Sequence, residues 1–203
     1  MRFIESILLR DGQYINLDFH QKRMNQVFEV CTPENNSHNL SQILPKLKLP
    51  GSYKVRVVYD MDTEDAEYDI EFAEYLPKRI ETLEVVLSRP FDYNMKYEDR
   101  GKINELEKRS KADDIIISFN NMITDGSYFN LVFWDGSDWL TPNTPLLKGV
   151  RRTQLLQEKR IKEVSIRIED LFAFEKVSLI NAMLDLQELT VPVSSIHFPK
   201  NDD

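Results

Sequence analysis

Residues 113–142 read DDIIISFNNMITDGSYFNLVFWDGSDWLTP, and this stretch decides the fold class. Runs rich in Ile, Val and Phe are separated by Asn120-Asn121 and Asp135-Gly136, pairs that accept tight-turn backbone, so the pattern predicts a meander of three or four strands. A polar helix is expected just upstream, over about 100–109. Downstream, helices over 146–160 and 168–174 flank the strand KEVSIRI at 162–168. Working outward to the N-terminus, FIESILLRDGQYINLDF (3–19) reads as two strands around Asp11-Gly12, because glycine tolerates positive φ. Met24, Val27 and Phe28 then recur at helical spacing within 20–31. A polar loop over 35–41 leads to a short helix in SQILPKLKLPGS (41–52), broken by Pro45 and Pro50. YKVRVVYD (53–60) and AEYDIEFAEY (66–75) form a strand pair across an acidic turn, and ETLEVVLS (81–88) is a third β run. Strands mixed with short helices give an α+β fold in two lobes, residues 1–90 and 91–203, with a frayed tail over 197–203.

Composition removes whole classes of function. The chain has 203 residues with 26 Lys+Arg against 34 Asp+Glu, a net charge of −8, whereas a nucleic-acid binder depends on clustered positive charge. An apolar content of 41% is too high for a disordered chain. The single cysteine, Cys31, excludes an intrachain disulfide framework and points to a reducing, cytoplasmic compartment. No apolar run approaches a membrane span, and MRFIESILLRDG meets charge too early for a signal peptide. His20, His38 and His197 lie far apart in different contexts, so no histidine-based metal site is expected. Hydrolase, metalloprotease and nucleotide-loop motifs are absent from the sequence.

Two polar features remain. LLKGVRRTQLL places Gly149 before a helix start, where outward backbone N–H groups could hold a phosphate; it also reads as a loop glycine followed by a solvated arginine pair. Asp125 closes an apolar strand in ITDGSYFN and reads equally as a turn residue or a helix cap.

In order and at their spacing, these pieces resemble the class IV aminotransferases, the pyridoxal-phosphate fold type IV family. That family includes D-amino-acid and branched-chain aminotransferases and 4-amino-4-deoxychorismate lyase. FIESI (3–7) is similar to the end of the family's F-E-T segment, LDFHQKRM (17–24) to its H-x-x-R-L helix, and MKYEDR (95–100) to its lysine segment. ITDGSYFNLVF (123–133) resembles V-T-E-G-x-x-x-N-x-F, WLTPNTPLLKGVRR (139–152) the T-P…L-x-G-I-T-R stretch, and LINAMLDLQELTVPV (179–193) the closing small-residue turn.

The resemblance implies a cytosolic homodimer of two small α+β lobes, D-amino-acid-aminotransferase-like, with pyridoxal 5′-phosphate between them. It would act on a small amino acid or amino-bearing acid, by transamination or by lyase chemistry. Lys96 is then the lysine that joins the cofactor and moves the Cα proton, which requires an unprotonated amine. Lys102 is its rival. Lys96 is preferred because K-Y-E-D-R is closer to the lyase pattern K-x-x-N-R, and because it lies 29 positions before Asp125 (125 − 96), whereas Lys102 lies 23 (125 − 102). Asp125 takes the place of the family's Glu on the pyridine nitrogen, one methylene shorter. Phosphate anchoring falls to Arg23, to the backbone N–H groups of Val150 and Arg151, and to the turn at Asn181 and Ala182. Leu147 matches the apolar residue against the ring face. Asn130 and Arg152 are expected to brace turns rather than touch substrate.

The sequence also departs from the pattern. The strand and G-D-G loop that precede F-E-T in the family are missing, and Tyr59-Asp60 stands where many members carry an Arg-Gly element for the substrate carboxylate. Arg2, Lys54 and Arg56 are the replacement charges, or else solvated ones. These departures motivate a rival reading: a family member that keeps the fold as a binding module without turnover.

Overall fold

The computed structural model describes residues 1–31, 38–60 and 68–199. The chain forms two compact units, residues 1–77 with 95–99 and residues 78–94 with 100–203.

The first unit is built on β1 (Arg2–Arg10), β2 (Gln13–Tyr14), α1 (Leu17–Cys31), α2 (Leu40–Ile43), β3 (Ser52–Asp60) and β4 (Tyr68–Glu74). Its strands form one sheet in the order β2-β1-β3-β4, each pair antiparallel. Alternate residues of a strand face one side, and here Phe3, Ile7 and Leu9 of β1 with Val55, Val57 and Tyr59 of β3 meet Met24, Val27 and Phe28 of α1 in a buried core. The expected turn at Asp11 and Gly12 is present, both at positive φ. The second strand is shorter than expected. Asn16 takes a φ of 56° and its carbonyl accepts from the N–H groups of Phe19 and His20, so the chain enters α1 at Leu17 rather than continuing extended to Phe19. The helix in 41–52 is also short, ending at Ile43 before Pro45. The acidic turn expected between β3 and β4, and part of the 35–41 loop, lie outside the described residues.

Residues 95–98 add to the β1 edge opposite β3. Phe3 pairs with Tyr97, Ile4 N–H donates to the Lys96 carbonyl at 2.9 Å, and Glu98 N–H donates to the Arg2 carbonyl at 3.0 Å. Tyr97 N–H also reaches the Met95 carbonyl at 2.8 Å, so Lys96 occupies the corner of a γ-turn.

The second unit contains β5 (Leu83–Ser88), α3 (Gly101–Glu107), β6 (Asp114–Phe119), β7 (Met122–Gly126), β8 (Asn130–Trp134), β9 (Trp139–Pro142), α4 (Val150–Gln157), β10 (Lys162–Val164), β11 (Lys176–Ile180), β12 (Thr190–Pro192) and β13 (Ile196–His197). The meander predicted from 113–142 is β6 to β9, turning at Asn120 and Asn121, both at positive φ. The sheet runs β10-β9-β8-β7-β6-β5-β13, and β11 pairs with β8 along its length and with β12. A strand has two edges, so β7 and β9 share the other edge of β8: β7 at Asn130, β9 at Phe133 and Trp134.

Three expectations downstream need correction. The helix over 146–160 is only α4, because residues 146–149 stay outside it, tied by side chains described below, and Lys159, at a φ of 57°, ends it. Residues 169–173 form a 3₁₀ turn, not an α-helix. The tail is not wholly frayed: Ile196 and His197 pair with Leu83 and Glu84, while 200–203 lie outside the described residues. No helix among the described residues is long and apolar enough to cross a membrane.

Candidate active site

In the second unit the site begins at an irregularity of the sheet. Ile116 pairs with Gly126 and Ser118 with Ile123, so two residues of β7, Thr124 and Asp125, stand opposite the single residue Ile117. Such a bulge re-aims side chains that a regular ladder would alternate. Thr124 fills it by donating to the Ile117 carbonyl at 2.7 Å, and Asp125 turns its carboxylate inward, 5% exposed. One oxygen accepts from Asn130 Nδ2 at 2.8 Å and the other from Leu147 N–H at 2.9 Å. Burial nevertheless pushes the Asp125 carboxyl up to about 6, against the lowering effect of those hydrogen bonds and of the Arg152 charge.

Asn130 is the hub. Its Nδ2 also donates to the Leu147 carbonyl at 2.8 Å, so one amide ties the β7–β8 turn to the segment before α4. Gly149 lies against it: a β-carbon there would sit 2.0 Å from Asn130 Oδ1. Gly149 is the N-cap of α4 and offers no side-chain cap, so the first N–H groups of that helix, those of Val150 and Arg151, face outward without one. Val150 is buried and Leu147 half-buried. Arg151 is buried, donating to Gln154 Oε1 at 2.9 Å and pairing with Asp185 at 3.5 Å, while Arg152 donates to the Pro142 carbonyl at 2.8 Å and to Glu163 at 2.5 Å. Asn130 and Arg152 thus brace backbone segments. The Asn181 turn closes the set: its Oδ1 accepts from Met183 and Leu184 N–H at 2.8 and 3.1 Å, and its Nδ2 reaches the Tyr128 carbonyl at 3.4 Å. Asn181 N–H donates to the Leu184 carbonyl at 3.3 Å, which leaves Ala182, half-buried, as the better anion donor of the pair.

In the first unit Lys96 is half-buried at its γ-turn. Lys102 is different: it lies in the first turn of α3 with its side chain 69% exposed, paired with Glu105 at 3.1 Å. Arg23 gives Nε to Glu5 Oε1 at 2.8 Å and Nη2 to Glu5 Oε2 at 2.5 Å, and His20 Nδ1 lies 2.5 Å from the same Oε2. Glu5 is held down to about 2; burial alone would raise it, but the Arg23 charge and the hydrogen bonds from His20 and Arg23 outweigh that. Burial lowers the pKa of His20 despite Glu5, with the Arg23 and Lys96 charges acting the same way. Sequence reasoning gave Glu5 and His20 no role. The signal available was a carboxylate at an inward position of an otherwise apolar strand, and a histidine three residues before Arg23 on one helix face. Two of the charges considered for a substrate carboxylate meet carboxylates of the protein instead: Arg56 pairs with Glu98 at 2.6 Å and Glu71 at 3.5 Å, and Arg2 with Glu98 at 3.2 Å.

The residues present suit pyridoxal 5′-phosphate. A dry carboxylate braced by two donors matches a ring nitrogen that carries a proton, and outward amides beside a glycine match a phosphate.

The family model for amino-transferase class IV matches residues 2–196. An uncharacterised protein of Haemophilus influenzae is 33% identical over 183 residues, covering 88% of this chain and 96% of that one. The structure of a candidate 4-amino-4-deoxychorismate lyase from Haemophilus somnus superposes with a TM-score of 0.84 at 31% identity, covering 91% of this chain and 97% of the other. A hypothetical aminotransferase from Mycobacterium tuberculosis, in its pyridoxal-phosphate-bound form, superposes with a TM-score of 0.75 at 15% identity, over 99% of this chain and 83% of the other. The fold is that of the fold type IV aminotransferases.

Proposed function

We propose that this chain, which belongs to the class IV aminotransferase family, is a pyridoxal-phosphate-dependent enzyme acting on an amino acid or an amino-bearing acid. The observation that carries the reading is Asp125: a carboxylate buried at a sheet bulge, with a pKa near 6, beside a helix start whose N–H groups lack a side-chain cap. Bound cofactor of this class acts as an electron sink for a carbanion at the substrate Cα.

The chain's own residues do the rest. Asp125 holds a proton on the ring nitrogen, and Asn130 and the Leu147 N–H keep its two oxygens from rotating away. The Val150, Arg151 and Ala182 amides and the Arg23 guanidinium would hold the phosphate, and the Leu147 side chain would offer an apolar contact to the ring. Lys96 would be the residue whose side-chain amine holds the cofactor and moves the proton at the substrate Cα. Its carbonyl is fixed by Ile4 N–H, so the amine swings from a clamped backbone. Of the two outcomes, a lyase reaction of the 4-amino-4-deoxychorismate type is favoured over general transamination by the Lys96-to-Arg100 segment and by the likeness to the Haemophilus somnus protein.

The test is the visible absorbance of purified protein with added pyridoxal phosphate. Wild type and Lys102→Ala are expected to develop the band and retain the cofactor after borohydride; Lys96→Ala is expected to do neither. Wild type without the band sinks the reading, and a band lost only in Lys102→Ala moves the lysine. A panel of amino donors together with aminodeoxychorismate then separates lyase from transaminase. The reading extends to a cytoplasmic homodimer, which light scattering of the full chain tests for the dimer.

A further inference from the structure

Glu5 stands in a row of β1 that is otherwise apolar, flanked by Phe3 and Ile7 and facing α1, and it is 0% exposed. A carboxylate in that place is expensive; a hydrophobe of similar size would fill the core at least as well. Its compensation is two donors of Arg23 and one of His20, all at 2.5–2.8 Å. His20 and Glu5 are both fully buried, whereas the Arg23 side chain is 11% exposed. The buried pair therefore ends in a guanidinium, and Glu5 grips it side-on through Nε and Nη2, which fixes its plane.

His20 makes the arrangement more specific. Its Nδ1 faces an ionised carboxylate and must donate, so the neutral ring is the Nδ1–H tautomer, and Nε2 is a buried lone pair with no hydrogen-bond partner among the described residues. The ring gives up one bond to make the other, so its polar contribution is the hold on Glu5 Oε2. β1 also clamps the Lys96 carbonyl through Ile4, the residue next to Glu5.

We infer that Glu5 and His20 are positioning residues: they preset the Arg23 guanidinium, through a carboxylate locked from behind by an Nδ1–H imidazole, to receive the phosphate ester of the cofactor. This rests on the reading that Arg23 binds that phosphate.

The experiment compares dissociation constants for pyridoxal phosphate and for pyridoxal, which lacks the phosphate, on the full chain. Glu5→Gln and His20→Leu are expected to weaken pyridoxal phosphate about tenfold, the loss of one charge-assisted contact, while changing pyridoxal less than about twofold. His20→Asn, whose amide replaces the Nδ1 donor, is expected to restore most of the loss. Nitrogen-15 NMR of histidine in the wild type, which depends on no variant folding, is expected to show His20 protonated at Nδ1 only. Wild type that prefers pyridoxal phosphate, with variants that keep that preference undiminished, overturns this inference and leaves the cofactor reading standing. So does an Nε2–H tautomer. Wild type that binds neither ligand, or both equally, overturns the reading of Arg23 and this inference with it.

Discussion

Gly149 has an ordinary φ of −64°, so nothing in its backbone demands glycine; Asn130 demands it. A methyl group at 149 would displace the Asn130 amide and break its bonds to Asp125 and to the Leu147 carbonyl. Gly149→Ala is therefore expected to destabilise the protein by about 2–3 kcal/mol, two buried hydrogen bonds, as read by urea denaturation. An alanine variant as stable as wild type would show that the close approach has no energetic weight. The lysines make a second contrast at this scale. Both sit in polar sequence, but Lys102 lies on an exposed helix surface in an i, i+3 pair worth a few tenths of a kcal/mol, and Lys102→Ala is expected to leave the melting temperature within a degree or so.

At the scale of elements, β1 with α1 and the β7 bulge carry carboxylates perturbed in opposite directions, and this sets opposite pH responses in the two units. Glu5 has its folded pKa depressed from 4.5 to about 2, so its stabilisation is present above pH 4.5 and is lost as pH falls toward 2. His20, also depressed, adds to the same loss as pH falls below its unfolded value of 6.5. Asp125 has its folded pKa raised from 3.8 to about 6, so its contribution is complete below pH 3.8 and is lost as pH rises through 6. Each carboxylate is worth on the order of 3 kcal/mol across its window. In cofactor-free protein, lowering the pH from 7 to about 3 is expected to reduce hydrogen-exchange protection in the core of the first unit relative to that of the second, and Asp125→Asn is expected to remove the second unit's response. Equal responses in both units would contradict the assignment. Element boundaries teach a related lesson. The first strand, α1 and the meander were legible because their periodicity and turn residues are local. The start of α1 at Leu17 and the non-helical segment before α4 were not, because Asn16 and the Asp125–Asn130–Leu147 contacts decide them.

At the scale of the whole molecule, a ligand that binds only the folded chain adds to its stability. Saturating pyridoxal phosphate at about a hundred times its dissociation constant is expected to stabilise the protein by about 2.7 kcal/mol. Hydrogen exchange should then slow at 96–98 and around 125, 150–151 and 182; unchanged exchange at 125 and 150–151 would contradict the cofactor reading. The α+β class and the order of the motifs followed from the sequence by itself, since turn chemistry, hydropathy period and motif spacing are properties of neighbours along the chain, and the resemblance to the family supplied the candidate lysine. The tertiary structure decided the rest: that Asp125 lies in a bulge and titrates near 6, that Asn130 is the hub which excludes a side chain at Gly149, and that Glu5 and His20 stand behind Arg23. Burial and hydrogen-bond partnership are set by residues far apart in the chain, 22 positions for Asp125 and Leu147 and 53 for Asn181 and Tyr128, and no local pattern encodes them.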